Sequence, residues 1–310
     1  MTVSRLRTNW SDNVLKVVIA GGSGFLGRYL AGLLRSHEHE VASLSRTRSD
    51  VTRTGVRYVR WDPTSIGDWV EALEQADVVF NLCGETISGK RWTDARKTVL
   101  LDSRRTPSNT LVKAINAMTD PPSVYLQASG VGYYGTGEAA VTESTPPGDD
   151  FLARLAVQWE APVANIGVRS VLLRLGVVLH NTEGALSQML LPFRAFMGGT
   201  LASGRQWLSW IHIVDAISAM YFVMEHSEIE GAVNITAPGP VRNQTFATLA
   251  GAALHRPTFM PTPRFILKSL LGEQEILVSE GQRVSPTILT QRGFSFRFPE
   301  LDNALDNLLN

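Results

Sequence analysis

One segment constrains this chain more than any other: Lys16-Val-Val-Ile-Ala-Gly-Gly-Ser-Gly-Phe-Leu-Gly-Arg28. The β-branched run Val17 to Ile19 reads as a buried parallel strand. It ends in Gly21-x-x-Gly24-x-x-Gly27, and Phe25, Leu26, Leu30, Leu33 and Leu34 follow at helical spacing. Each glycine has a mechanical reason: a tight strand-to-helix turn, close approach of backbone to a pyrophosphate, and close packing of helix on strand. The free amides and positive end of the helix then hold phosphates. Ordinary loops carry glycines too, but these lie after a strand and before a helix. That context predicts a dinucleotide site with Gly21, Gly24, Phe25, Leu26 and Gly27 at the phosphates.

Composition agrees with a well-packed α/β protein. Of 310 residues, 44% are hydrophobic and 19% charged, ample for a core and unlike a disordered tail. Lys+Arg (29) and Asp+Glu (29) cancel and no basic block occurs, so nucleic acid and anionic membrane are not expected partners. A small molecule is the expected partner instead. The single cysteine, Cys83, has no partner for an internal disulfide, which fits a reducing compartment. Met1 to Asn13 is polar without the apolar core of a signal peptide, and no apolar run would span a bilayer. The expectation is a cytoplasmic protein with a flexible extension over 1–14.

Strands are predicted near 15–20, 39–44, 56–61, 77–82, 122–128 and 169–175, and helices near 25–36, 66–75, 92–118 and 150–165. That alternation implies a doubly wound parallel sheet, a Rossmann arrangement in the α/β class. Ligands bind at the carboxyl ends of such strands. This would align Gly21–Gly27, Ser45–Arg46, Trp61–Asp62, Asn81–Gly84 and Ser129–Tyr134 along one edge. The dinucleotide-binding domain is expected over 15–180. Beyond it, Pro and Gly punctuate a smaller, loop-rich C-terminal lobe over 181–310. Within that lobe, 205–235 is expected to return to the sheet and 256–308 to form a small terminal domain.

The glycine triplet, Asn81-Leu-Cys-Gly84, Ser129-Gly-Val-Gly-Tyr-Tyr-Gly135 and Gly204-Arg-Gln-Trp-Leu-Ser-Trp-Ile-His-Ile-Val-Asp215 resemble the extended short-chain dehydrogenase/reductase superfamily. The match is closest to its atypical epimerase-family branch, NAD-dependent epimerase/dehydratase-like proteins sometimes described as cell-division-inhibitor homologues. Gly84-Glu-Thr-Ile, Arg91-Trp-Thr, Asp102-Ser-Arg, Gly148-Asp-Asp-Phe-Leu, Trp159-Glu160 and Leu173-Arg-Leu-Gly-Val-Val-Leu are similar to the same branch. Arg256-Pro, Leu271-Gly-Glu, Gly281-Gln-Arg-Val-Ser-Pro286 and Gly293-Phe-Ser-Phe resemble its small C-terminal domain of unknown function. The resemblance spans 15–308 and implies a nicotinamide cofactor.

The chain also departs from the superfamily. The superfamily carries Tyr-x-x-x-Lys on the helix after the fifth strand, the Tyr moving a proton and the Lys lowering its pKa. Here that helix reads Asp150-Phe-Leu-Ala-Arg-Leu-Ala-Val-Gln-Trp-Glu160, with neither residue. Arg154 is out of register and of different donor geometry.

After the second strand, Ser45-Arg46 offers no acid for a ribose 2′-hydroxyl but an arginine for a 2′-phosphate, so NADP(H) is expected ahead of NAD(H). Asp62 resembles an adenine-contacting acid, or is a turn acid. Asn81, Leu82 and Gly84 end the fourth strand beside the expected adenosine ribose, and Glu85 is an acid/base, cofactor-side or solvated carboxylate. Ser129 stands where the superfamily places a substrate-bonding hydroxyl. With Tyr133 and Tyr134 it forms the catalytic candidate set, for which Lys97, Arg104 or Arg205 would supply a pKa-lowering cation.

Arg205, Gln206, Trp207 and Trp210 resemble the segment that closes over substrate, the tryptophans serving as pocket wall or core anchor. His212 is a substrate-side acid or a buried hydrogen-bonded ring, and Asp215 reads as N-cap of a helix over 216–225. Gln282 and Arg283 either shape the lobe or face the ligand. No metal site is expected, because no His or Cys set has ligand spacing. The reading is an NADP(H)-dependent oxidoreductase or epimerase with a modified proton donor. Its alternative is a non-catalytic NADP(H)-binding regulatory or scaffold protein.

Overall fold

A computed structural model describes residues 13–310, so all but the end of the expected 1–14 extension lies outside the described residues. Seven strands form the main sheet: β1 (Lys16–Ala20), β2 (Glu40–Ser45), β3 (Arg57–Arg60), β4 (Val78–Asn81), β5 (Val124–Gly130), β6 (Arg169–Leu175) and β7 (Gly231–Ile235). Their order is β7-β6-β5-β4-β1-β2-β3, parallel throughout. The order reverses between β1 and β4. A crevice opens at such a reversal, beyond the carboxyl ends of the strands.

Strand alternation supplies two cores. Val17, Ile19, Val78, Phe80, Val124 and Leu126 face one side and pack under α1 (Phe25–Ser36) and α5 (Ile213–Glu225). Val18, Ala20, Val79 and Tyr125 face the other, under α2 (Val70–Glu74) and α3 (Asp94–Asn116). The α1 stripe Gly27, Leu30, Ala31 and Leu34 is buried at the spacing a single helix face requires. Both faces of the sheet are thus covered, as a parallel sheet needs.

Two predicted helices are shorter than their patterns. The helix expected over 66–75 is only α2, preceded by i to i+3 turn bonds from Val70 N to Gly67 O and from Glu71 N to Asp68 O. The helix expected over 150–165 is α4 (Phe151–Glu160), continued by a tighter 3₁₀ turn, Ala161–Asn165, that Pro162 opens.

A third core gathers Leu179, Phe193, Trp210, Phe246, Phe298 and Leu305 between α6 (Asn243–Ala253), α7 (Leu301–Leu309) and their neighbours. The C-terminal stretch also folds back on the sheet. Arg283–Val284 pairs with Ala140–Val141, and Leu289 enters the α1–α5 core. This return carries 276–282 to the carboxyl edge of the sheet, opposite α4.

Candidate functional site

The head of α1 is built for an anion. Gly21 has φ +82°, and a Cβ there would lie 2.9 Å from the Leu82 carbonyl carbon, where β1 and β4 diverge. A Cβ on Gly27 would stand 2.5 Å from Gly21 O and Gly22 Cα, so only glycine lets α1 sit this close to β1. Gly24 caps α1 without a side-chain acceptor, leaving the first-turn amides of Phe25, Leu26 and Gly27 without a partner among the described residues. These groups fit the pyrophosphate of a dinucleotide.

At the end of β2, Ser45 Oγ accepts from the amides of Thr47 and Arg48 and so shapes the loop that presents Arg46. Arg48 is committed to Asp50 at 2.6 Å and stacks on Tyr58. Arg46 is exposed and has no ion pair among the described residues, leaving it available for a 2′-phosphate. Asp62 is exposed, and its carboxylate binds Thr64 and Ser65, which holds its pKa below the usual range, the Thr64 amide first. Its visible role is turn closure.

Asn81 requires a correction. Its side chain does not face a ribose: it is fully buried, and Nδ2 donates to Ser108, Tyr125 and Gln127 while Oδ1 accepts from Cys83 N. It locks the end of β4. Gly84 packs on the Arg104 guanidinium, where a Cβ would lie 3.2 Å from Cζ. Glu85 is latched to α3 through three bonds: its amide to Ser103, its carbonyl from Arg104, its carboxylate from Arg96 at 3.2 Å.

A cleft of about 420 Å³ runs from Phe25 and Leu26 at the α1 head past Ser129 to the returning segment 276–282. At its floor, Ser129 Oγ donates to Glu160 Oε1 at 2.6 Å. Arg174, the register partner of Ser129 across β5 and β6, binds both Glu160 oxygens, at 2.9 and 2.8 Å. Burial works against the Arg174 charge, but the bonded Glu160 carboxylate outweighs it and holds its pKa above the ordinary arginine value.

Tyr133 and Tyr134 stand behind this pair and do not line the cleft. The Tyr133 ring lies 3.4 Å from Arg174 Cζ. Tyr134 donates to Asn234 Oδ1 at 2.6 Å and accepts from Arg174, and burial pushes its pKa up. The Tyr134 hydroxyl is thus committed to Asn234 and Arg174 and supports the charge pair from outside the cleft. The cation beside the tyrosines is therefore Arg174, and not Lys97, Arg104 or Arg205. Lys97 pairs with Glu273, and Arg205 is exposed.

Leu152 and Ala156, one helical turn apart on α4, both line the cleft, so the helix that carries the Tyr and Lys in the superfamily presents an apolar wall here. Trp207 forms part of the wall, its indole under Arg242 at 3.7 Å, whereas Trp210 is wholly buried. Gln206 does not line the cleft. It is buried and ties the wall together, donating to Leu201 O and Val278 O. Gln282 lines the cleft and Arg283 lies 5.1 Å from Trp207.

His212 is the buried, hydrogen-bonded ring of the two readings offered for it, and it also takes the N-cap position expected of Asp215. His212 is buried away from the cleft, caps α5 by accepting Val214 N at 3.1 Å and lies 3.9 Å from Phe298. Burial brings its pKa down to about 4. It is not a substrate-side acid. Asp215 lies inside α5 and instead accepts the amides of Arg297 and Phe298. Among the described residues no group of His, Cys, Asp and Glu could hold a metal, and no helix is long and apolar enough to cross a membrane.

Glu160 and Arg174 carried no role in the sequence reading. The signal was there: Arg174 interrupts the apolar run Val171–Leu175, and Glu160 closes the largely apolar α4. Opposite charges in two buried elements need each other.

Fold and site together define a Rossmann-type dinucleotide-binding protein. Residues 17–236 match the NAD dependent epimerase/dehydratase family, and 262–308 match a domain of unknown function (DUF1731). The chain is 38% identical over 300 residues to the epimerase family protein YfhF of Bacillus subtilis, covering 95% of this chain and 98% of that one. It is 36% identical over 302 residues to the epimerase family protein SDR39U1 of Mus musculus, covering 95% and 100%. The crystal structure of human epimerase family protein SDR39U1 (isoform 2) with NADPH matches with a TM-score of 0.86 at 35% identity, covering 94% of this chain and 98% of that one. The chain belongs to the NAD-dependent epimerase/dehydratase family, as its motifs led us to expect.

Proposed function

We propose that the protein is an NADP(H)-dependent oxidoreductase or epimerase of a small molecule, in which Ser129 and Glu160 move the proton that Tyr-x-x-x-Lys moves elsewhere in the superfamily. The observation that carries this reading is the 2.6 Å bond from Ser129 to Glu160 at the floor of the cleft. NADPH in the human relative's structure, together with an exposed Arg46 that has no ion pair among the described residues, supports the choice of cofactor.

The α1 amides and Arg46 would hold the phosphates, and when bound the nicotinamide exchanges a hydride with the substrate carbon. Ser129 Oγ accepts the proton of a substrate hydroxyl while its own proton passes to Glu160 Oε1. In the opposite direction the same two protons run back. Arg174, bonded to both carboxylate oxygens, fixes Glu160 in the orientation that Ser129 needs. Tyr133 and Tyr134 pack the guanidinium in place.

A second reading, a protein that binds NADP(H) without turnover, draws on the apolar Leu152 and Ala156. Incubating the protein with NADPH and following absorbance across a panel of carbonyl compounds separates the two. Consumption supports the enzyme, and tight cofactor binding without consumption of any compound supports the alternative.

A further inference from the structure

Arg104 is 7% exposed, yet has no carboxylate within ion-pair distance among the described residues. The nearby Glu85 carboxylate is bonded to Arg96 instead. A guanidinium has five N–H donors. Arg104 uses three: Nη1 to Leu100 O at 2.9 Å and Ser103 Oγ at 3.4 Å, and Nη2 to Glu85 O at 2.9 Å. Nε–H and one Nη2–H remain. Arg174 and Arg48 show what these two nitrogens do when satisfied, since each binds a carboxylate through Nε and Nη2. Trp159 lies 4.8 Å from Arg104 Cζ, and burial brings the Arg104 pKa down to about 10, so it remains a cation at neutral pH.

Among the described residues lining the cleft, Arg104 is the only cation. The two carboxylates there have local partners: Asp150 caps α4 through Ala153 N, and Glu280 pairs with Arg264 at 2.6 Å. The remaining walls near α4 and the returning segment are apolar: Ile87, Leu152, Leu155, Ala156, Ile276 and Leu277. The anions of an NADP(H) molecule are its phosphates, which belong at the α1 head and Arg46. Beyond the pyrophosphate, its nicotinamide and ribose carry no anion to offer Arg104.

We propose that Arg104 is the anchor for an anionic group of the substrate, a carboxylate or a phosphate, whose apolar body lies along α4 and 276–277. This deepens the proposed function and rests on the same cleft being the substrate site. A buried arginine left with two donors is unfavourable until an acceptor arrives, so the cleft discriminates sharply between anionic and neutral compounds.

The test is calorimetric titration of benzoate, phenyl phosphate, inorganic phosphate and neutral benzyl alcohol into the protein, with and without NADPH. Wild type, Arg104→Gln and Arg104→Lys are compared, and thermal denaturation reports folding. Wild type is expected to bind benzoate or phenyl phosphate and to bind benzyl alcohol weakly, with R104Q losing ~10- to 100-fold in anion affinity. Preference for benzoate over phenyl phosphate assigns a carboxylate, and the reverse a phosphate. R104K is expected to retain part of the affinity, because a point charge replaces the fork. Equal binding of anion and alcohol by wild type overturns the proposal, as does unchanged anion binding in folded R104Q or R104K. Lost NADPH affinity with unchanged anion binding in R104Q would make Arg104 a cofactor residue and also overturn it. Failure of wild type to bind NADPH while R104Q loses the anion would instead remove the proposed function and leave the anion site standing.

Discussion

Ser129 donates a 2.6 Å hydrogen bond to Glu160, a residue 31 positions further along the chain. The sheet order makes this contact. β6 lies beside β5, which sets Arg174 opposite Ser129, and α4 ends with Glu160 over that same pair. The Ser129 hydroxyl at the end of β5 thus meets a carboxylate already oriented by a second bond pair.

The Glu160–Arg174 pair is buried on both sides, with side chains 9% and 5% exposed. Removing one partner leaves the other charged and unpaired, which costs about 3–5 kcal/mol. Glu160→Gln is expected to lower unfolding free energy by roughly that amount in urea titrations. The double variant Glu160→Gln/Arg174→Met should cost less than the sum of the single changes. Additive losses would show that the pair is not coupled.

The glycines separate fold from ligand. A Cβ on Gly24 would meet only Gly21 O at 3.2 Å, whereas one on Gly27 would strike backbone at 2.5 Å. Gly24→Val is therefore expected to fold and lose NADPH binding, while Gly27→Ala should lose thermal stability as well. Calorimetry giving Gly24→Val wild-type affinity would sink the phosphate assignment.

Arg46 is expected to favour NADPH over NADH. A charge-assisted bond to the 2′-phosphate contributes about 1.5–3 kcal/mol, or roughly 10- to 100-fold in affinity. Arg46→Ala should weaken NADPH by that factor and leave NADH nearly unchanged. Equal affinities in the wild type would rule this out.

His212 predicts a pH dependence of stability. Its folded pKa falls from 6.5 to about 4, through burial first, with Arg297 and His180 acting in the same direction. Above 6.5 the ring is neutral in both states and the folded protein bears no penalty. As pH falls from 6.5 to about 4 the unfolded chain takes up a proton that the folded one refuses, so stability drops. Asp215, raised by burial, acts in the opposite sense at the acid end. His212→Asn keeps an N-cap acceptor and removes the titration. Between pH 7 and pH 5 the wild-type urea midpoint should fall further than that of the variant. Equal falls would exclude His212.

The strand–turn–helix at Gly21–Gly27 was legible because its signals are local: β-branched residues, glycine spacing, then a helical stripe. The ligand edge of the sheet could be read from the strand–helix alternation, because parallel strands share one carboxyl edge. What stayed hidden depended on partners distant in the chain. Arg174 looks like a lapse in an apolar strand until Glu160 and Tyr134 meet it from 14 and 40 residues away. Asp215 has the composition of a helix cap, but its carboxylate is taken by amides 82 and 83 residues later, while His212 caps α5 instead. Asn81 ends its strand as expected, and only the packing of α3 and β5 turns its side chain inward.

The most direct test of the account is NADPH consumption across a panel of anionic carbonyl compounds by wild type and Ser129→Ala. The wild type is expected to turn over at least one compound. Ser129→Ala should lower kcat/KM by ~10²–10⁴ with an unchanged Kd for NADPH, the usual cost of losing a positioned proton-transfer group. Full kcat/KM in Ser129→Ala, or tight NADPH binding by a wild type that consumes nothing, would contradict it.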